Sequence, residues 1–276
     1  MDILRIAAFS DGDKGGNPAG VALLDTLPDA DRMQAVAAEV GYSETAFAAP
    51  SGDGWRVRYF SPETEVPFCG HATIALGAAL ALNKGDGTFG LTLNEAEIIV
   101  EGVRNGGKIA AALQSPPTRS RKADSAIIEE ALSLFGYARE DLDCRIPPAI
   151  AEAGATHLIL ALNDRDTLAS MTYDLDAGRV FMRAHDLVTV SLIYIEGNQR
   201  FQARNPFASG GVLEDPATGA AAAAFAGYLR DLDWPHGGKI DIMQGVDMGV
   251  PSALQAEISP VSGSSIRVSG TARLMD

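Results

Sequence analysis

The chain has 276 residues, 46% of them hydrophobic, which is enough to bury one large core or two ordinary ones. Its formal net charge of -14 opposes binding to nucleic-acid backbones and to anionic membrane surfaces, so neither is expected as a partner. Only two cysteines, Cys69 and Cys144, are present, far apart and without metal-type spacing. That pattern argues against a disulfide scaffold and a zinc site, and it fits a reducing, cytoplasmic setting.

Residues 2–9 alternate apolar and polar and read as a strand rather than a basic, apolar leader, and no run approaches bilayer-spanning length. The glycine-rich 11–20 stretch reads as a loop, with no Walker or G-x-G-x-x-G spacing that would make it a nucleotide cradle, and 21–24 as a strand. Pro28 and Asp29 open a helix to about Val40, with Met33, Val36, Ala37 and Val40 on one face. Strands are expected at 42–50 and 55–60. Then V-P-F-C-G-H-A-T-I-A-L-G-A-A-L-A-L-N-K (66–84) passes from an extended segment through Gly70 into an apolar helix. Cys69, Gly70 and His71 therefore belong at a helix N-terminus, where free N–H groups and the dipole favour an anion. Three short strands follow, at 89–93, 97–101 and 108–113.

The paired prolines at 116–117 and the basic 120–122 segment read as a link between two lobes, 1–115 and 116–276. In the second half a helix at 124–135 precedes strands at 157–162, 187–196 and 200–204. E-D-P-A-T-G followed by an alanine run (214–229) repeats the design of the first central helix, with Asp215 as N-cap and Pro216 as first helical residue. Strands at 239–243, 254–259 and 265–268 close the second lobe. One central helix among many short strands, twice over, is an α+β pattern rather than a βαβ layout. Two such helix starts suggest lobes facing a shared cleft.

G-N-P-A-G-V (16–21), S-E-T-A-F (43–47), P-F-C-G-H-A-T (67–73), E-D-P-A-T-G (214–219) and Q-G (244–245) occur in this order across nearly the whole chain. Together they resemble the phenazine-biosynthesis isomerase (PhzF-like) family of the diaminopimelate-epimerase-like superfamily. The resemblance implies two pseudo-symmetric lobes, each an antiparallel sheet wrapped around a central helix, with the active site between them. It implies no metal or organic cofactor and usually a homodimer. Residue by residue, Glu44 matches the family's proton-moving carboxylate, Gly70 and His71 its first helix-terminal binding group, and Asp215 and Gly219 the second. Three departures point away from the phenazine precursor itself as substrate. Ala220 stands where a serine is usual, Val250 where an arginine is common, and 204–209 alters the usual arginine, aromatic and proline arrangement.

Glu44 lies among small and apolar residues, where burial raises a carboxyl's pKa toward that of a reversible proton carrier; a solvent-facing strand carboxylate is the plainer reading. His71 is read as a substrate-binding group, with a helix-capping role as its alternative. Cys69 invites comparison with two-thiol racemases, but E-D-P-A-T-G holds no second cysteine, so a packed thiol is the expectation there and at Cys144. His157, His185 and His236 belong to no motif and read as structural or exposed. The sequence reading is thus an isomerase moving a proton on a small carboxylate-bearing metabolite, with Glu44 as general acid/base and Gly70, His71, Asp215, Gly219 and Ala220 as substrate-binding residues. Its alternatives are a non-catalytic ligand-binding member and an amino- or hydroxy-acid epimerase.

Overall fold

Local sequence signals set most element boundaries. The computed structural model describes all residues, Met1–Asp276, and the chain divides into two units, one of residues 1–114 with 269–276 and one of residues 115–268. The first unit starts with β1 (Leu4–Ala8) and β2 (Asn17–Leu23), paired antiparallel with Ile6 opposite Ala19. Asp29 caps α1 (Ala30–Val40) by accepting from the Arg32 N–H at 2.8 Å, and Gly41 ends it in the left-handed region at φ 73°. Its Met33, Val36 and Ala37 pack on Ala22, Phe47 and Phe60. Then come β3 (Thr45–Ser51), β4 (Gly54–Phe60), the two-residue β5 (Glu65–Val66) and α2 (Gly70–Lys84), followed by β6 (Gly87–Thr92), β7 (Glu97–Asn105) and β8 (Lys108–Gln114).

Strands β1, β2, β7 and β8 surround α2, which is buried from His71 to Ala81. That environment explains its run of alanines, since larger side chains would hold the strands off. At Gly102 on β7 an added Cβ would stand 2.2 Å from the Gly77 carbonyl oxygen, so both glycines are needed for this approach of helix to sheet.

The second unit starts with β9 (Arg119–Lys122), in the stretch expected to be a link. It pairs antiparallel with β10 (Ala149–Glu152), and Arg119 meets Glu152 at 2.6 Å. Between them lies α3 (Ser125–Phe135), closed by left-handed Gly136. After β11 (Thr156–Leu162) come two helices that were not expected, α4 (Arg165–Ala169) and α5 (Leu175–Ala184), each begun by an aspartate accepting a backbone N–H at 2.8 Å. With α3 they cover an apolar cluster including Ile128, Leu132, Leu158, Leu160, Phe181 and Leu192. The unit continues with β12 (Thr189–Gly197), β13 (Arg200–Pro206), the two-residue β14 (Glu214–Asp215), α6 (Gly219–Asp231), β15 (Lys239–Gln244) and β16 (Ser252–Glu257).

From β10 onward the second unit follows the first unit's order of two strands, a helical crossover, three strands, a central helix and further strands, with α4 and α5 in place of α1 and with β9 and α3 added in front. The sheets, however, are mixed rather than antiparallel. Parallel pairs β2–β3, β4–β6, β11–β12 and β13–β15 each arise where the chain crosses over through a helix, because a helical crossover returns it to start the neighbouring strand in the same direction. A second difference lies at the C-terminus. From Ser269 onward β17 (Arg267–Leu274) belongs to the first unit, where Ile6 faces Leu274 and Ala8 faces Ala272. The boundary expected at 116–276 missed this return, because a strand's pairing partner is chosen by long-range register and not by its own residues. No helix is long and apolar enough to cross a membrane.

Candidate active site

In the first unit the expected residues come together at the start of α2. Glu44 immediately precedes β3, and its carbonyl accepts from the Gly20 N–H of β2 at 3.1 Å, which fixes its backbone. Its Oε2 stands 3.3 Å from Nε2 of His71, the second residue of α2, and the two side chains are only 17% and 7% exposed. Ser43 Oγ lies 3.3 Å from the same Nε2, while Cys69 Sγ lies 3.3 Å from Nδ1 on the other edge of the ring. The imidazole is therefore held between a carboxylate and a thiol.

Cys69 is the N-cap residue of α2, which carries no side-chain cap hydrogen bond. Its backbone is anchored from below. Thr73 Oγ1 donates to the Cys69 carbonyl at 2.7 Å, so the buried Tyr59 hydroxyl, 2.7 Å from Thr73 Oγ1, is left as the donor in that second contact. Burial pushes the Tyr59 phenol well above its ordinary pKa, so this donor keeps its proton at any working pH. Cys69 was expected to be a packed thiol; it is half-buried and in contact with His71.

The start of α6 is built from a parallel set of parts. Asp215 is not the N-cap but lies in β14, opposite Asn205 of β13. The helix begins at Gly219 with Thr218 as N-cap, three residues later than the proline-based expectation. Pairing with β13 keeps Glu214 and Asp215 extended, and the fixed φ of Pro216 suits the intervening turn as well as a first helical position. Thr218 Oγ1 donates to Asp215 Oδ2 at 2.6 Å. Gln244 closes the turn by donating to the Asp215 carbonyl at 2.7 Å and accepting from the Thr218 N–H at 3.1 Å. The adjacent Gly245, at φ 74°, admits no side chain, since a Cβ would sit 2.5 Å from the Val250 carbonyl oxygen and 2.9 Å from that of Pro216. Gly219 is buried and Ala220 half-buried at the first turn.

Each helix start is tied back by an arginine–glutamate fork. Glu65 of β5 takes Arg58 Nε and Nη2 at 2.7 and 2.6 Å, and Glu214 of β14 takes Arg204 Nε and Nη2 at 3.0 and 2.6 Å. The Arg58 guanidinium holds the Glu65 carboxyl below the usual carboxylate range. Both glutamates belong to an E-x-P-x-x-G segment, 65–70 and 214–219, so the repeated spacing encodes the same local construction.

Comparison with known proteins agrees with this architecture. The profile of the family described as phenazine biosynthesis-like protein matches residues 6–276. The chain belongs to that family. It is 31% identical over 258 residues to the trans-2,3-dihydro-3-hydroxyanthranilate isomerase of Pseudomonas fluorescens, covering 91% of this chain and 88% of the relative. It is also 31% identical over 265 residues to an uncharacterized isomerase of Deinococcus radiodurans, covering 92% and 85%. Among solved structures, the PhzF-family phenazine biosynthesis protein of Bacillus anthracis superposes with a TM-score of 0.87 over 100% of this chain and 98% of that one, at 21% identity, and shows the same fold. The curated relatives are named isomerases, and this chain is a member of their isomerase family.

Family motifs pointed to Glu44, Gly70, His71, Asp215, Gly219 and Ala220 but not to the residues that hold them. Ser43 and Gln244 were legible as motif members, S-E-T and Q-G, without a role. The forks were legible only as a spacing, because an arginine's partner on another strand cannot be read from its own neighbourhood.

Proposed function

We propose that the protein is an isomerase that moves a proton between carbons of a small carboxylate-bearing metabolite, with Glu44 as the general acid/base. The observation that carries this reading is the half-buried Glu44 carboxylate 3.3 Å from His71 Nε2 at the uncapped start of α2. A carboxylate there can take a proton from an acidic carbon of the bound substrate and return it to another. Negative charge developing on the substrate as the proton leaves is met by the first N–H groups of α2, at Gly70 and His71, and by the positive end of the helix dipole. Once protonated, Glu44 is a donor, and His71 beside it keeps the carboxyl aimed. The step itself asks for no cofactor. In the second unit Asp215, Gly219 and Ala220 are the proposed substrate-binding groups, with Ala220 shaping the pocket for a substrate that needs no hydroxyl partner there.

Replacing Glu44 by Gln tests the assignment, with the substrate named for the Pseudomonas fluorescens relative as the first candidate, followed by a panel of small cyclic and acyclic unsaturated acids. General acid–base catalysis contributes about a hundred- to ten-thousand-fold, so turnover should fall by at least about a hundredfold with the circular dichroism spectrum unchanged. Turnover within a few-fold of the parent protein rules the role out.

A further inference from the structure

The first unit sets a thiol, an imidazole and a carboxylate side by side at the start of α2. Nε2 of His71 faces the Glu44 carboxylate at 3.3 Å, and an ionised carboxylate can only accept, so Nε2 carries a proton and Nδ1 is the basic nitrogen of the ring. Cys69 Sγ stands beside that nitrogen, 3.3 Å from Nδ1 against 4.0 Å from Nε2. So small a difference means that the sulfur leans over the Nδ1 edge of the ring instead of lying in line with a lone pair. A thiolate and an imidazolium tolerate that placement, because attraction between charges depends on separation rather than aim. Three features favour a charged sulfur here. Cys69 is the N-cap of α2, and no side-chain cap takes up the first N–H groups of the helix or screens the positive end of its dipole. Glu44 stabilises an imidazolium from the opposite edge, as the third member of a nucleophile–base–carboxylate set does. The other titratable group close to Cys69, Tyr59 of β4, is buried and neutral and adds no competing negative charge. Cys69 itself is only half-buried, so the thiol is not sealed into a core.

We propose that Cys69 is a nucleophilic thiolate paired with the His71 imidazolium, and that it is a modification site for small α,β-unsaturated carbonyl compounds. The thiol proton passes to Nδ1. Sγ then bonds to the β-carbon of the acceptor, the electron pair of the carbon–carbon double bond moves to give an enolate, and the enolate oxygen is met by the first N–H groups of α2. The proton held on the imidazole is returned to the α-carbon, so a neutral acceptor gives a neutral thioether and nothing else is consumed. The adduct fills the start of α2 beside Glu44 and closes it to substrate. The loss of turnover rests on the proton-carrier reading of Glu44; the reactivity of the thiol does not.

The test uses the full chain with Cys144→Ser, which removes the second, exposed thiol, and follows acrylamide addition by mass spectrometry beside an unstructured cysteine peptide. A free thiol ionises near 8.5, so at pH 6 only about one in 300 is thiolate. Cys69 should therefore react at least about tenfold faster than the peptide at pH 6, the gain in thiolate outweighing the lower intrinsic reactivity of a more acidic thiol. Between pH 6.5 and 8 its rate should change less than about threefold, whereas that of the peptide rises roughly tenfold per pH unit. His71→Asn should slow Cys69 at least about tenfold at pH 6 and restore the steep pH dependence. Glu44→Gln, which leaves the imidazolium without its carboxylate, should slow it at least about threefold. Circular dichroism confirms folding of every variant. A Cys69 rate at or below that of the peptide at pH 6, or one rising tenfold per unit, overturns the thiolate without recourse to any variant. A rate indifferent to His71→Asn overturns the ion pair. Adducted protein with turnover undiminished overturns the closure. If instead Glu44→Gln retains full turnover, the proton-carrier reading fails while the rates of Cys69 and the peptide still decide the thiolate.

Discussion

The two arginine–glutamate forks share a local sequence pattern but differ in burial, and that difference sets a measurable asymmetry. Arg204 and Glu214 side chains are 11% and 6% exposed, against 23% and 26% for Arg58 and Glu65. Glu214→Gln strands a guanidinium whose remaining partners are main-chain carbonyls, chiefly Ala169 at 2.8 Å. Removing one partner of a buried pair costs about 3–5 kcal/mol, and the amide oxygen of Gln recovers part of that, so a loss of about 3 kcal/mol is expected. Glu65→Gln leaves Arg58 able to reach water and should cost no more than about 1 kcal/mol. The assay follows from the chain's two tryptophans. Trp55 lies in β4 of the first unit, while Trp234 lies just after α6 in the second, with its indole N–H donating to the Asn198 carbonyl at 2.8 Å. In a Trp55→Phe background, urea unfolding followed by Trp234 fluorescence reports the second unit, and the converse background reports the first. The Glu214→Gln midpoint should fall about three times as far as that of Glu65→Gln, with the urea dependence unchanged. Equal shifts, or a larger one for Glu65→Gln, would refute the burial argument.

Three further outcomes are expected. Burial pushes the His157 imidazole down to about 3, so below the ordinary value of 6.5 the unfolded chain takes up a proton that the folded chain refuses, and stability falls as pH drops. Between pH 7.5 and 5 this group should remove about 2 kcal/mol, a slope that His157→Gln should lack in urea titrations; identical slopes would show that the ring is not buried neutral. Gly102→Ala should cost about 2 kcal/mol, because its Cβ would meet the Gly77 carbonyl oxygen at 2.2 Å, whereas Gly90→Ala, which meets nothing within 4 Å, should stay within about 0.5 kcal/mol of the parent. Gln244→Leu removes the bonds closing the α6 start and should raise KM about tenfold while lowering kcat less, as steady-state kinetics on an accepted substrate would show.

Much of the candidate site was legible because its helix starts are local constructions. The E-x-P-x-x-G spacing, the small-residue runs after Gly70 and Gly219, and the aspartate cap of α1 all act within a few residues, where backbone geometry and capping dominate. The position of α6 was legible only to within three residues, since pairing of β14 with β13 outweighs the helical preference of Pro216. Helices α4 and α5 escaped notice because each is short and begun only by an aspartate, a signal also typical of turns.

The amino-acid sequence by itself determined which segments alternate, which helices are lined with small residues for burial, and where two polar helix starts stand. These properties follow from side-chain chemistry at short range. Tertiary structure alone decided that Glu44 meets His71, that Cys69 occupies the other edge of the same imidazole, and that Arg204 is the more deeply buried of two like arginines. It also decided that the last strand pairs with the first and that helical crossovers make the sheets mixed. Those outcomes rest on register and packing between distant segments, where the energy belongs to the pair, so no single stretch of sequence carries it.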